Sequence, residues 1–427
     1  MAITEYKNIG ETVFSATLAN GLRVRVVPKP GFNSFYAVLA ANYGGAHRRF
    51  ELDGAHVDTP AGVAHFLEHK MFDMPDGDNA LNILTANGAD PNAFTSSGMT
   101  AYYFQCTENF EENLRMLLRF VSTPYFTEET VSKERGIIAQ EILMGEDNPG
   151  VALYYNLLRM LYAHHPIRDR VAGTVDSIAE ISADTLYACH RAFYAPCNMT
   201  LCVEGDVDAE RVCAIADEIL PHELLPVPAA DFGPDEGEVP CAQYMCERMP
   251  VSAPQFFIGA KLCPAAGGEA ALRQRLTAML AMRLLCGRSS PFYTRLYAEG
   301  LLNRDFDYEV DFSAGTATVI IGGESAAPRR VLQELEREIA RIGAEGFDPA
   351  AFERAKRASL GARLRGLEDF DNVCTSLAEG VFDGFCALDS AACLEGVEKG
   401  ACEAFVREKL APERLAMSVI APEGEEV

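Results

Sequence analysis

Gly62-Val-Ala-His65-Phe-Leu-Glu68-His69-Lys-Met-Phe72 sets two histidines four residues apart, with a glutamate just before the second. Each residue of a helix turns about 100°, so His65 and His69 stand one turn apart on one face and Glu68 lies at its edge. Two neutral imidazoles so placed can hold one zinc ion beside a carboxylate. A catalytic zinc takes a third protein ligand and leaves a fourth position to water, whose proton the nearby carboxylate can accept. Taken alone, the five residues from His65 to His69 also fit a solvated helix face. Pro60 suits a first helical turn, so the periodicity predicts a helix from about Thr59 to Phe72.

Further along, Glu134-Arg-Gly-Ile-Ile-Ala-Gln-Glu141-Ile carries two carboxylates seven residues apart. Seven residues are two turns, so both share a face. Apolar neighbours around Glu141 predict a partly buried carboxylate, which needs a metal or a cation as partner. Glu141 is the expected third ligand. Glu134 is expected to orient a ligand histidine through its other ring nitrogen.

The chain around these motifs alternates strands and helices. Phe14 to Leu18, the turn pair Asn20-Gly21 and Leu22 to Val27 read as a hairpin. Phe35 to Ala41 reads as a buried strand, and Asn92 to Thr107, rich in Phe, Tyr and Thr, as one or two more. Helices are expected over Asn109 to Ser122, Glu128 to Met144, Val151 to Tyr162 and Ala183 to Phe193, with Pro149-Gly150 in a loop. Met199 to Val203 closes the first half as a strand. A stretch with five prolines between 221 and 240 reads as a linker. The expected domains are therefore 1–225, a linker at 226–239, and 240–427.

The second half echoes the first. Phe126-Thr-Glu-Glu-Thr-Val opens one long helix as Phe347-Asp-Pro-Ala-Ala-Phe opens another, and both halves end on an aromatic residue, a proline turn and a strand. Two echoes in the same order favour duplication over chance likeness of amphipathic helices. Aligning the two phenylalanines sets Ala362 opposite Glu141, so one metal per chain is expected.

The chain has 427 residues, 48% hydrophobic and 23% charged, as in ordinary globular proteins. Its formal charge of −25 would repel the phosphates of nucleic acid. Its thirteen cysteines are scattered without a Cys-x-x-Cys pair, which suits buried thiols in a reducing compartment better than a disulfide framework. Met1-Ala-Ile-Thr-Glu-Tyr-Lys lacks the basic-then-apolar pattern of a signal peptide, and no apolar run nears the ~20 residues of a membrane-spanning helix. A cytoplasmic protein without membrane contact is expected.

Together these motifs resemble the inverzincin peptidases of the pitrilysin and insulin-degrading enzyme family, whose signature is His-x-x-Glu-His. The likeness is greatest to the bacterial branch related to mitochondrial processing peptidases. It extends over Gly62 to Phe72, Asn92-Ala-Phe-Thr-Ser, Thr100 to Phe104, Glu134 to Glu141, His165-Pro166, Gly173 to Ile178 and Tyr194 to Met199. The resemblance implies an α+β fold: two homologous halves, each a mainly antiparallel mixed sheet with helices packed on it, forming a clamshell. It implies one zinc ion in the first half, held by His65, His69 and Glu141, with Glu68 as general base in the hydrolysis of peptides or unfolded polypeptides. It also implies that Asn92, Ala93, Phe94 and Thr95 form an edge strand that pairs with the substrate backbone, which binds many sequences through main-chain hydrogen bonds.

One departure stands out. Relatives use an Arg and a Tyr in the second half to grip the scissile carbonyl oxygen. Tyr308 matches the Tyr, but Leu301 stands at the Arg position, with Arg295 and Arg304 nearby and off register. A homodimer or a heterodimer with a related chain is therefore expected. A zinc-bearing subunit active only beside such a partner, a non-catalytic relative of the fold, and manganese or cobalt in place of zinc all stay open.

Overall fold

A computed structural model describes residues 1–424. The chain forms two compact units, one of Met1–Leu143, Asp169–Phe232 and Leu364–Leu388, the other of Met144–Arg168, Gly233–Arg363 and Asp389 onward. The units thus interleave along the sequence, and the linker region from 226 to 239 is shared between them rather than standing apart.

The first unit contains strands β1 (Ala2–Tyr6), β2 (Glu11–Thr17), β3 (Arg23–Pro28), β4 (Phe35–Ala41), β5 (Arg49–Leu52), β6 (Ala55–Asp58), β7 (Ala89–Thr95), β8 (Thr100–Cys106) and β9 (Met199–Gly205). β5 and β6 pair as a ribbon, and the other seven form a sheet in the order β1-β2-β3-β9-β4-β8-β7. β4 reads as an unbroken apolar run because the sheet is covered on both faces. Ala37, Leu39 and Ala41 join a core with Phe66, Leu67, Leu117, Ile138 and Leu186 from the helices on one side. Tyr36, Val38 and Ala40 alternate to the other face, against Phe370, Val373, Leu377 and Ala378.

The second unit holds β10 (Tyr244–Arg248), β11 (Gln255–Leu262), β12 (Asp307–Ser313), β13 (Thr316–Glu324) and β14 (Ala416–Ala421), in the order β10-β14-β11-β13-β12. This order repeats β3-β9-β4-β8-β7 strand for strand. In each unit the first pair is parallel and the following three are antiparallel. The duplication read from two short echoes is therefore present at the level of topology.

The repeat also explains the interleaving. The helix Pro149–Leu161 follows the first unit in sequence but packs Leu157, Leu158 and Leu161 with Ile320 and Ala416 of the second. The helix Phe370–Asp383 does the converse, covering the second face of the first sheet. Each unit is completed by a helix from the other half of the sequence.

Two local expectations change. The motif helix spans Val63–Lys70 rather than beginning at Thr59, because Gly62 precedes it at φ 98°, a left-handed conformation that interrupts any earlier turn. Pro149 and Gly150 are not in a loop. They form the first helical turn, where Pro is tolerated and the Asn148 side chain accepts from the N–H groups of Gly150 and Val151.

Candidate metal centre

The motif helix is anchored by Val63, Phe66 and Leu67, which are buried in the core, and by Lys70, which is buried against Asp73. With those side chains inward, the face carrying His65 and His69 is left to meet the helix Glu128–Glu146. The imidazole centroids lie 4.6 Å apart. On the second helix, Val131, Ile138 and Ile142 turn into the core, so Glu134 and Glu141 lie along the adjoining stripe.

The two helices bring the expected ligand set together. His65 Nε2 lies 3.4 Å from one Glu141 oxygen, and His69 Nε2 lies 3.6 Å from the other. Ligating atoms of all three residues fall within 4.8 Å of one another, the one such group of this kind among the described residues. Two imidazole nitrogens and a carboxylate converging in this way fit a cation of zinc's ligand preference.

The surrounding charges favour the same occupant. Burial disfavours the charged His69 imidazole, but the hydrogen bond to Glu134 and the charges of Glu68, Glu134 and Glu141 outweigh burial and raise its pKa. Hydrogen bonding to His65 holds the Glu141 carboxyl below its usual range against the opposing effect of burial. Glu134 is lowered in the same way by its hydrogen bond to His69. Three carboxylates thus crowd two imidazoles, an excess of negative charge that a bound cation relieves.

Orientation of the two histidines is unequal. His69 Nδ1 sits 3.0 Å from Glu134 Oε1, which fixes the ring with Nε2 toward Glu141. His65 Nδ1 is buried and has no hydrogen-bond partner among the described residues. Glu141 is half exposed, the partial burial that its apolar neighbours in sequence suggested. Those neighbours, Ile138 and Ile142, leave it on the helix's outer flank as they turn inward.

Glu68 is nearly buried, and one of its oxygens, Oε2, accepts a 2.6 Å hydrogen bond from the Thr95 hydroxyl. Thr95 ends β7, the edge strand of the first sheet, so Asn92, Ala93, Phe94 and Thr95 all lie beside a free sheet edge. The Thr95–Glu68 contact was not foreseen. It joins residues 27 positions apart, and no local spacing announces it.

Tyr308 lies on β12 of the second unit, and burial pushes its hydroxyl up to about 12. Leu301 is buried, as an apolar side chain would be. Arg295 is bound to Glu334 at 2.8 Å, while Arg304 sits at the surface beside Tyr297. Three of the other histidines have structural partners: His47 accepts from the Gly44 N–H, His190 bonds the Val121 carbonyl, and His165 bonds the Ala314 carbonyl.

The family described as "Insulinase (Peptidase family M16)" matches residues 53–175, the span that carries every expected metal ligand and Glu68. "Peptidase M16 inactive domain" matches residues 180–359, which include Leu301 and Tyr308. The "Uncharacterized zinc protease YmfH" of Bacillus subtilis (strain 168) is 35% identical over 98% of this chain and 99% of its own length. A crystal structure of an M16-like peptidase from Alicyclobacillus acidocaldarius superposes with a TM-score of 0.91 at 32% identity, covering 97% of this chain and 99% of that one. The periplasmic protease PqqL from Escherichia coli shares the fold, with a TM-score of 0.77 at 17% identity. This chain spans 48% of its length. No helix among the described residues is long and apolar enough to cross a membrane.

Proposed function

The chain belongs to the insulinase family of peptidases, M16, and from that premise we propose that it is a zinc-dependent endopeptidase acting on peptides or unfolded polypeptides. The convergence of His65, His69 and Glu141 within 4.8 Å, with Glu68 on the same short helix, carries this reading. Relatives named as zinc proteases support it.

His65 and His69 would hold the ion through Nε2 and Glu141 through its carboxylate, while Glu134 holds His69 through Nδ1 and turns Nε2 toward the site. Zinc bound there supplies a Lewis acid that polarises the scissile carbonyl and makes water a nucleophile near neutral pH. Glu68 accepts the proton of the attacking water and can return it to the leaving amine. The free edge of β7 suits an added substrate strand, with specificity left to side-chain pockets. Tyr308 is assigned the role of donor to the developing oxyanion. All thirteen cysteines are unpaired, which suits a reducing compartment such as the cytoplasm.

Incubation of the zinc-loaded chain with a mixed peptide library, followed by mass spectrometry, tests the reading. Internal cleavage is expected. Glu68→Gln should lower it by about 10²–10⁴-fold, the range for losing a general base, and a chelator should abolish it. Cleavage that survives both treatments would refute a zinc mechanism.

A second reading is motivated by Leu301. Leu301 stands at the aligned position, and Arg295 is engaged with Glu334. In this reading the chain is the zinc-bearing member of a homodimer or heterodimer in which another subunit supplies the arginine. A zinc-loaded chain that is silent alone, and active only with a related chain added, would favour it. A chain that binds no zinc in metal-replete solution would instead be a non-catalytic relative.

A further inference from the structure

The Thr95 hydroxyl has one proton, and two neighbours bear on where it goes. Glu68 Oε2 is 2.6 Å away, whereas Thr100 Oγ1, across the hairpin, is 3.4 Å away. Thr100 donates its own proton to the Tyr43 carbonyl at 2.8 Å. The Thr95 proton is therefore committed to Glu68, and one oxygen of that carboxylate is held while the other is left for proton transfer.

The main chain of the same residue faces the other way. Ser96 N–H donates to the Met99 carbonyl at 2.8 Å, so Ser96 and Met99 form a bonded pair at the end of the hairpin. Bonded and non-bonded pairs alternate along an antiparallel ladder. Thr95 opposite Thr100, and Ala93 opposite Tyr102, are then non-bonded pairs whose N–H and C=O groups point off the free edge of β7. The Ala93 N–H agrees, donating to the Asn92 side chain at 2.9 Å rather than to β8. Side chains also alternate: Ala93 packs against the core beneath the motif helix, whereas Phe94 packs against the opposite core. Thr95, two residues from Ala93, follows it to the Glu68 side.

We propose that Thr95 is a positioning residue for Glu68, joining the edge where a substrate strand would add to the carboxylate that would take the water's proton. The proposal rests on the peptidase reading above. A peptide paired to the Thr95 main chain fixes β7, and through the Thr95 hydroxyl it fixes the carboxylate relative to the peptide bond. Thr95 does not itself react.

Thr95→Val keeps the shape and the β-branching but removes the hydroxyl, and Thr95→Ser keeps the hydroxyl. In the zinc-loaded chain, Thr95→Val should lower kcat about 10- to 100-fold, the range for losing a hydrogen bond to a charged group, with KM nearly unchanged. Thr95→Ser should recover most of kcat. Zinc content and melting temperature should match the parent in both variants. Crystal structures of the zinc-free variants supply a readout independent of turnover, with the Glu68 carboxylate displaced in Thr95→Val and restored in Thr95→Ser. A raised KM at unchanged kcat would make Thr95 a substrate contact and overturn the proposal, as would an undisplaced Glu68 in Thr95→Val. Parent cleavage indifferent to Glu68→Gln would instead sink the peptidase mechanism, and the crystal structures would still judge Thr95.

Discussion

The two metal-facing histidines differ in what stands behind them, and that difference has a measurable consequence. Glu134 accepts from His69 at 3.0 Å, whereas His65 Nδ1 is buried without a partner. A carboxylate behind a ligand imidazole fixes its tautomer and raises its basicity, and losing one costs about 10–100-fold in metal affinity. Glu134→Ala should therefore weaken zinc binding by that order in competition with a chelator. Glu134→Gln, which keeps an acceptor but loses the charge, should weaken it less. A Glu134→Ala chain that holds zinc as tightly as the parent would show that His69 needs no such support. Both carboxylates were legible because helical periodicity alone places residues 134 and 141 on one stripe. The Thr95 contact was not, because it depends on how an edge strand lies over a helix.

Among the elements, β9 carries a group that ties stability to pH. Glu204 is wholly buried at the end of β9, with Lys29 Nζ 3.2 Å away. Burial pushes its carboxyl up to about 8, and the lysine only partly offsets that. The folded chain therefore keeps Glu204 protonated in a range where the unfolded chain, with an ordinary value near 4.5, has lost the proton. The contribution to stability is present in full below the unfolded value and is lost as pH rises toward about 8. Glu204→Gln, neutral throughout, should flatten the fall in melting temperature between pH 5 and 8. Lys29 would retain Glu11, so no unpaired cation is created. An unchanged pH profile in that variant would mean that Glu204 is ionised in the folded state. The sequence shows a glutamate after the five strand residues Met199 to Val203 and nothing of its depth. Burial there comes with the helix Phe370–Asp383, which packs on β9 from far along the chain, and only the fold supplies it.

At the scale of the molecule, the reciprocal placement of two helices sets what can fold alone. The repeat was readable from Phe126 and Phe347, because both halves open their long helices alike. The exchange was not readable, since an apolar helix carries no mark of which sheet it will cover. The helix Phe370–Asp383 closes a face of the first sheet formed by Tyr36, Val38, Ala40 and Cys202, side chains that are almost wholly buried in the complete chain. A fragment ending at residue 225 lacks this helix and keeps Pro149–Leu161, whose partners Ile320 and Ala416 are gone. It would expose two apolar surfaces at once, a condition that favours aggregation. Residues 1–225 expressed alone should therefore bind a hydrophobic dye and melt without a sharp transition, although they contain every expected zinc ligand. Co-expression with residues 226–427 should restore a cooperative melt and stoichiometric zinc. If instead the short fragment melts sharply and holds zinc unaided, the exchanged helix is a covering, and the first half is an autonomous metal-binding domain.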